Sequence, residues 1–356
     1  MIRSGLRWLL IAGVSGWLAA SVAGVGSALV AGPAATARAG TVRLGFFANL
    51  THATALVGVA KRYYEQALGS DAGLSTQVYS AGPAEMTALL GGQLDAAYVG
   101  PSSALNAFLA SHGRQLRIVA GATTGGAELV VRPSIASAAD LRGRTLATPQ
   151  KGNTQDVALR YWLREQGLRA DADGTGEVSV VPQDAATTLD QFKAGRLDGA
   201  WLPEPWASRL VLEAGARVLV DERSLWPGGR FATTNLVVST TFLSAHPEEV
   251  RALIDGQLAA DAWIRAHPAD AARTISDEIG RLTGQSLTPA ETARAFAELA
   301  VTDDPLADTM PSTVDHAVAV GLSKKVDVTG LYDLSILNAE LKARGLPPVP
   351  SPGAAP

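Results

Sequence analysis

The feature that most constrains the fold is an internal repeat at an offset of 103 residues. Gly92–Val99, with the sequence GQLDAAYV, lies over Gly195–Leu202, with the sequence GRLDGAWL. A further pair of apolar runs, Leu116–Val119 and Val218–Val220, follows in the same order at nearly the same offset. Ordered matches of this kind predict two lobes of one design, each a strand–helix–strand unit with its own polar turn.

Each half carries a polar turn between a strand and a helix, and the same offset places Thr51 over Thr154. In Ala147–Ala158, Asn153 or Thr154 is a helix N-cap, and Asp156 occupies the capping-box position. Such a turn directs backbone N–H groups and the positive end of a helix dipole at an anion or a polar head group. If the two turns face each other they form one site, whereas the alternative is two ordinary strand–helix connections.

The beginning of the chain predicts a signal peptide over residues 1–39. Arg3 and Arg7 give it a positive start, residues 8–30 carry no charge, and Ala37-Arg38-Ala39 is a small-residue cleavage signal. A retained membrane anchor is the alternative, because the apolar run is long enough to span a bilayer. The chain has no cysteine, which excludes a lipid-attached cysteine, disulfides and cysteine zinc sites. We therefore expect an exported protein, free in a Gram-negative periplasm.

The remaining length favours two lobes over a single small core. We predict lobe 1 from residues 40–131 and 236–345, lobe 2 from residues 132–235, and a disordered tail over 346–356. The chain would cross between the lobes near residues 130–133 and 235–239. Loss of the three arginines of the signal peptide changes the formal net charge from −4 to −7, and no basic cluster indicates nucleic-acid binding.

Few side chains in the turns suggest chemistry. His52 has no acid or nucleophile beside it in the sequence, so a polar contact is favoured over catalysis. Ser102 and Ser103 follow a predicted strand as an N-cap or as cleft hydroxyls. Glu204 and Trp206 follow the strand at 199–202, where they either face the cleft or cap and pack. No catalytic motif or metal-ligand spacing is present, so we expect no enzyme activity, cofactor or metal.

Taken together, these stretches resemble the solute-binding proteins of ABC importers. The exported start, NLTHA, LDAAYVGP, DLRGRTLATPQKGNTQD and LPEPWAS are similar in order to the branch that binds aliphatic sulfonates, taurine and nitrate, over residues 41–345. The resemblance implies an α/β, two-lobed periplasmic binding protein fold of the second type, with two crossovers and a helical C-terminal region on lobe 1. It further implies hinge closure on a small organic anion, with an ABC permease and its ATPase as partners of a monomeric protein.

The turns and the resemblance together predict a set of ligand-binding residues. They are Asn49, Thr51, His52, Ser102, Ser103, Gly126, Gly152, Asn153, Thr154, Gln155, Glu204 and Trp206. A carboxylate such as Glu204 in a closed cleft is unfavourable unless paired, so it would favour an aliphatic sulfonate with an amine, hydroxyl or amide over nitrate. Alternatives are a pyrimidine or thiamine-precursor binder, a nitrate-like solute, an enzyme related to pyrimidine synthases, and a sensor module.

Overall fold

The computed structural model describes residues 40–70 and 72–350. Its strands are β1 (Thr41–Phe47), β2 (Gly73–Tyr79), β3 (Ala96–Val99), β4 (Leu116–Gly125), β5 (Ala127–Val131), β6 (Thr145–Thr148), β7 (Ser179–Pro182), β8 (Gly199–Pro203), β9 (Arg217–Asp221), β10 (Ala232–Ser239) and β11 (Leu299–Val301). The predicted signal peptide lies outside the described residues. None of the helices within them is long and apolar enough to cross a membrane.

Helices alternate with the strands and then dominate the C-terminal third. They are α1 (Ala53–Ala60), α2 (Tyr63–Leu68), α3 (Gly82–Leu90), α4 (Pro101–Ala110), α5 (Thr154–Glu165), α6 (Ala185–Lys193), α7 (Trp206–Ala214), α8 (Thr240–Ala245), α9 (Pro247–Ala266), α10 (Pro268–Thr283), α11 (Pro289–Ala297), α12 (Met310–Ala319) and α13 (Ser335–Ala343). Short 3-10 turns occupy Leu50–His52, Ala138–Leu141, Glu222–Leu225, Pro227–Gly229 and Ala307–Thr309. The alternation of strands and helices is that of a doubly wound α/β fold.

The strands form two sheets with matching topology. The first has the order β11-β4-β10-β3-β1-β2 and the second the order β7-β6-β8-β5-β9. In the first sheet β1 pairs in parallel with β2 and β3, and in the second β6 pairs in parallel with β7 and β8. One antiparallel strand follows in each, β10 beside β3 and β5 beside β8. The two halves of the sequence repeat therefore fold into two sheets with the same strand arrangement. Below, lobe 1 denotes the first sheet with its helices, and lobe 2 the second sheet with α5–α7.

Each sheet is covered by apolar side chains on both faces. In lobe 1 one cluster contains Leu44 and Leu253, and a second on the opposite face contains Leu105 and Ile118. Two further clusters cover the second sheet in the same way. The helices α9, α10 and α13 contribute to the first cluster of lobe 1. The C-terminal region therefore packs on lobe 1, as predicted.

The crossings between the sheets lie earlier in the chain than the sequence suggested. The first is at Gly125 and Gly126, whose positive φ angles of 75° and 70° favour glycine. β5 is thus already part of lobe 2, although residues 127–131 were expected in lobe 1. The second crossing lies between β9 and β10, and all of β10 is part of lobe 1. The crossing predicted at 130–133 begins on the last two residues of β5, and the one predicted at 235–239 lies within β10.

The predicted disordered tail begins too early. The side-chain amide of Asn338 forms two hydrogen bonds with the backbone of Val349: Val349 N–H donates to Asn338 Oδ1 at 2.8 Å, and Asn338 Nδ2 donates to Val349 O at 3.2 Å. These bonds hold the segment before Pro350 on α13. Residues 351–356 lie outside the described part of the chain.

Candidate functional site

A small cavity lies between the lobes, where the carboxyl ends of the parallel strands meet. Its lining is Phe47, Asn49, Thr51, His52, Gly82, Gly100, Ser103, Asn153, Thr154, Gln155, Pro203, Thr233 and Thr234. The segments that follow β1, β2, β3 and β6 all contribute, as do the last residue of β8 and part of β10. In open α/β sheets this edge is where ligands bind. None of these lining residues carries a formal charge. The nearby Lys151 is exposed and is not part of the lining. His52 is neutral because it is buried, as described below.

The amino terminus of α5 is one wall of the cavity. The side chain of Asn153 accepts a hydrogen bond from Asp156 N at 2.9 Å, and Asp156 Oδ2 accepts one from Gly152 N at 2.9 Å. The predicted N-cap and acid are therefore both present, although the acid reaches Gly152 rather than the N-cap itself. The N–H groups of Thr154 and Gln155 lie in the first turn, whose donors have no acceptor inside the helix. They supply the positive end of the dipole at the cavity.

A buried ion pair fixes this helix end. Asp156 Oδ1 accepts from Thr148 Oγ1 at 2.9 Å and from Arg160 Nε at 3.0 Å. Both Asp156 and Arg160 are fully buried. Because Asp156 also holds the N–H of Gly152, the turn from β6 into α5 is set by several bonds before any ligand arrives. A site with its donors already positioned loses less entropy on binding.

His52 contributes a donor from the opposite lobe. Its Nδ1 accepts a hydrogen bond from Phe47 N at 3.2 Å. Burial lowers the pKa of His52 to about 3, so the ring is neutral near neutral pH. A neutral ring that accepts at Nδ1 carries its proton on Nε2. His52 is therefore a hydrogen-bond donor at the cavity, in agreement with a polar contact rather than catalysis.

Two hydroxyl groups at the cavity have no partner within the described protein. Thr154 Oγ1 and Thr234 Oγ1 are buried and form no hydrogen bond there. A buried hydroxyl without a partner is unfavourable, and native proteins rarely leave one so. Thr154 belongs to lobe 2 and Thr234 to β10 of lobe 1. The pair thus presents unsatisfied hydrogen-bonding groups from both sides of the same space.

Seven of the predicted residues line the cavity together. They are Asn49, Thr51, His52, Ser103, Asn153, Thr154 and Gln155. The sequence repeat identified most of these residues as candidates, because it aligned the two polar turns. The lining residues that sequence reasoning missed are Phe47, Gly82, Gly100, Pro203, Thr233 and Thr234. Thr233 and Thr234 lie within a strand and carry no motif, whereas Gly82 begins α3 and Gly100 precedes α4, so both glycines could have been interpreted as close-approach positions.

Five predicted residues lie outside that lining. Ser102 lines a neighbouring gap, and Gly152 shapes the turn while its carbonyl accepts from Asn106 Nδ2 at 3.1 Å. Gly126 marks the crossing between the sheets. Trp206 Nε1 donates to Asn49 Oδ1 at 3.0 Å, which joins the lobes across the cavity.

Glu204 is directed at an arginine instead of the cavity. Arg294 Nη1 donates to Glu204 Oε1 at 2.8 Å, and Ser208 N donates to Glu204 Oε2 at 3.0 Å. The second amino group of Arg294 donates to Glu128 Oε2 at 2.6 Å. Burial, with the nearby charge of Glu128, raises the pKa of Glu204 to about 7. The expected repulsion of a ligand anion by Glu204 is thus replaced by an ion pair, which the sequence did not reveal because Arg294 lies 90 residues away.

Further contacts close the lobe boundary. Arg223 of lobe 2 pairs with Glu298 next to β11 of lobe 1. Thr51 N donates to Glu204 O at 3.4 Å. Together with the bond between Trp206 and Asn49, these contacts describe two lobes closed on each other. Within the described residues, no group of three or more His, Asp or Glu side chains could hold a metal ion.

Comparison with known proteins gives the same picture. The profile of the NMT1-like family matches residues 35–279. A putative binding protein of Brucella abortus is 26% identical over 217 residues, which are 60% of this chain and 63% of that protein. The match therefore spans less than two thirds of that relative's length.

Solved structures share the architecture. The alkanesulfonate-binding protein of Xanthomonas axonopodis pv. citri, bound to MOPS, superposes with a TM-score of 0.67 at 22% identity, covering 81% of this chain and 96% of that chain. The periplasmic nitrate-binding protein of Synechocystis PCC 6803 gives a TM-score of 0.73 at 15% identity, covering 88% of this chain and 92% of that chain. These similarities confirm the predicted two-lobed periplasmic binding protein fold.

Proposed function

We propose that this chain, which belongs to the NMT1-like family, is the extracytoplasmic substrate-binding component of an ABC importer. It captures a small organic anion, an aliphatic sulfonate, between its lobes and delivers it to a membrane permease without chemical change. The observation that carries the proposal is the pair of unpartnered hydroxyls, Thr154 and Thr234, at a cavity lined by uncharged donors.

Uncharged donors suffice to hold an oxyanion in an enclosed space. The first turn of α5 offers backbone N–H groups and a dipole end, and His52 offers an N–H that stays in place across neutral pH. Hydrogen bonds to a charged acceptor contribute about 1.5–3 kcal/mol each. An anion that accepts from both lobes would stabilise their closed arrangement, which is the differential binding that closure requires.

The room at the cavity is limited. The cavity has a volume of about 30 Å³, and one buried water requires about 10–15 Å³. A head group with three oxygens therefore fills the space, and any organic substituent must leave it beside Thr154, where a second gap begins. The sulfonate proposal uses this exit. A nitrate-like or bicarbonate-like anion is the second candidate, favoured by the small volume alone.

The relatives support the same class of ligand. One solved neighbour is described as alkanesulfonate-binding and holds MOPS, and another as nitrate-binding. The predicted signal peptide fits export to the periplasm, where a soluble monomer would meet its permease. Amino-terminal sequencing of the protein from a periplasmic extract and its mass in solution would test export and oligomeric state.

The decisive experiment is calorimetric titration of the purified mature protein with alkanesulfonates, taurine, nitrate and bicarbonate. We expect binding of a sulfonate and an increase in unfolding free energy of about 2.7 kcal/mol at a hundredfold excess over the dissociation constant. Thr154→Val should weaken that binding by about ten- to a hundredfold, because it removes a hydrogen bond to a charged acceptor. The unliganded variant should unfold at the same or a higher temperature, since it loses an unsatisfied buried hydroxyl.

Thr234→Val should behave in the same way from the other lobe. Thr241→Val is the matched control, because Thr241 is exposed on α8 outside the cavity. Equal ligand affinity in the wild type and both cavity variants would remove the proposed site. Binding of nitrate or bicarbonate with no response to any sulfonate would transfer the assignment to the second candidate.

A further inference from the structure

A second, larger cavity opens beside the proposed anion site. It has a volume of about 280 Å³ and lies between α5, the Glu222–Leu225 turn and α12. Its lining is Ala158, Tyr161, Trp162, Glu165, Gln166, Glu222, Leu225, Trp226 and His316. We call it the aromatic chamber. It has no part in holding the head group, so its composition calls for a separate explanation.

The chamber is walled by stacked rings. Tyr161 and His316 stack with their centroids 3.7 Å apart, and Trp226 lies tilted 5.4 Å from His316. Phe231 stacks behind Trp226 at 5.9 Å. Tyr161 comes from lobe 2 and His316 from the C-terminal region, so the walls meet at the lobe boundary. Tyr161 and His316 cover one face of each other, so the ring surfaces left to a ligand are their remaining faces and edges and the ring of Trp226. An aromatic face carries negative charge density.

The charged groups of the chamber are all acidic. Glu222 is 1% exposed and accepts a hydrogen bond from Trp201 Nε1 at 2.8 Å, while Glu165 lies exposed at the rim. The lining contains no lysine or arginine. Burial lowers the pKa of His316, which keeps its ring neutral. The neighbouring charge of Asp221 also acts on Glu222, and Glu165 and His316 are the other ionisable residues of the chamber lining.

A small gap lies between the chamber and the anion site and shares lining residues with each. The gap is lined by Thr154, which also lines the anion site, and by Ala158, Glu222 and Trp226, which also line the chamber. Val157 and Phe231 are among the apolar side chains of the gap, and its hydroxyl groups include that of Thr313. At 1.5 Å per residue, Ala158 lies about 6 Å along α5 from Thr154, and the ring of Tyr161 begins about 10 Å along. A short methylene linker matches this length and can pack on the apolar part of the lining.

We propose that the aromatic chamber binds the ammonium end of a zwitterionic ligand whose sulfonate lies at the amino terminus of α5. The inference rests on the proposed function, since the head-group site defines one end of the ligand. A tertiary or quaternary ammonium fits best, because its methyl groups contact the ring faces while its charge faces the carboxylate of Glu222. The role that the sequence suggested for Glu204, a carboxylate that meets an amine, passes to Glu222.

The protonation of Glu222 provides a second signature of a cationic ligand. Burial raises the pKa of Glu222 to about 7, against stabilising bonds from Trp201 and Trp226. Without a cation nearby, the carboxylate is therefore close to half protonated at neutral pH. A bound ammonium would favour the charged form, so binding of the ligand should release a proton near pH 7.

The test compares two ligands that differ by one atom. 3-(Trimethylammonio)propane-1-sulfonate carries a quaternary nitrogen, and its isostere carries a quaternary carbon at the same position. Calorimetry with the mature wild-type protein should show the zwitterion binding at least about tenfold more tightly. Glu222→Gln should remove that preference by weakening the zwitterion alone. Equal affinity of the two ligands for the wild type would overturn the inference.

Matched variants keep the result interpretable. Tyr161→Leu removes a ring face at a half-buried position and should also reduce the preference for the zwitterion, even if Glu222→Gln does not fold. Glu248→Gln neutralises an exposed acid on α9 and should leave both affinities unchanged. If Glu222→Gln and Tyr161→Leu weaken the affinity for both ligands equally, the two residues have only a structural role and the proposal is overturned.

Failure of the head-group site gives a different pattern. If no sulfonate binds, including propanesulfonate and taurine, the proposed function fails. The chamber is then tested with tetramethylammonium alone, through the tryptophan fluorescence of the wild type and Glu222→Gln. A response that depends on Glu222 would support the chamber, and no response would overturn it. If sulfonates bind without regard to the ammonium group, the chamber inference alone fails.

Discussion

Replacing Arg294 by methionine would leave two buried carboxylates facing each other at the lobe boundary. Arg294 is 20% exposed and donates to Glu128, Glu204 and the hydroxyl of Ser208. Glu128 is 4% and Glu204 0% exposed at the side chain. Removing one partner of a buried ion pair typically costs about 3–5 kcal/mol, because the remaining charge has no compensation.

Proton uptake sets an upper limit on that cost. Burial already raises the pKa of both carboxyls above their ordinary value of 4.5, with Glu204 at about 7. Without Arg294, Glu128 is free to protonate as well. At pH 7 protonating a carboxyl with an ordinary pKa of 4.5 costs about 3.4 kcal/mol, and at pH 5 about 0.7 kcal/mol. We therefore expect Arg294→Met to lose about 3–4 kcal/mol at pH 7 but only about 1 kcal/mol at pH 5.

The sign follows from proton linkage. A carboxyl whose folded pKa is raised binds more protons in the folded than in the unfolded state between its two pKa values, so stability falls as pH rises through that window. The variant should show a steeper fall than the wild type from about pH 4.5 upward. Urea unfolding followed by circular dichroism at several pH values measures both free energies.

A matched control separates this effect from the loss of any arginine. Arg273 pairs with Asp270 on the surface of α10 and is 71% exposed, so Arg273→Met should change stability by less than about 0.5 kcal/mol at either pH. Glu204→Gln added to Arg294→Met should restore part of the loss at pH 7. A loss for Arg294→Met that is the same at pH 5 and pH 7 would refute the reasoning from buried carboxylates.

Three further outcomes follow from the site and the core. Gly100→Ala places a methyl group 2.4 Å from Thr154 Oγ1 across the lobe boundary, so ligand affinity measured by calorimetry should fall at least about tenfold. Because the pKa of His52 is about 3, His52 stays neutral between about pH 5 and pH 8. Affinity for a permanently charged sulfonate should therefore change less than twofold over this range through His52. A sharp loss of affinity towards pH 8 would contradict a neutral His52 as the donor. Glu85 is buried without a partner and its pKa is raised well above 4.5 by burial, so Glu85→Gln should gain stability over the wild type in urea unfolding as pH rises above about 5.

Local patterns in the sequence were sufficient for most strands and for the repeat. The strand predicted at 199–202 is present as β8 (Gly199–Pro203), because an apolar run that begins at a glycine determines it locally. The match of Thr51 with Thr154 placed both polar turns at the same cavity. The repeat therefore predicted most of the head-group site before any tertiary contact was known.

The lobe boundaries were harder to predict, because the crossing strands are chemically ordinary. β5 and β10 are both buried and apolar, and either could pair in either sheet. Which sheet they join depends on long-range pairing, such as Leu129 with Trp201 or Leu236 with Tyr98. Local propensity carries no information about that choice. Only the adjacent glycines Gly125 and Gly126 signalled the first crossing.

The contacts that close the lobes break the repeat, and this explains why the sequence left the role of Glu204 open between facing the cleft and capping α7. The repeated units build two similar lobes, but α11 and α12 belong to the C-terminal region, which has no counterpart in the repeat. From there Arg294 reaches Glu204, and His316 completes the wall of the aromatic chamber. Glu204, at the end of a repeated strand, is thus paired with an arginine from outside the repeat. Glu222, which has no counterpart in the repeat, is the buried acid that lines the aromatic chamber. In a chain of this design, the repeat determines where an anion binds, and the region outside the repeat determines which side chains meet the rest of the ligand.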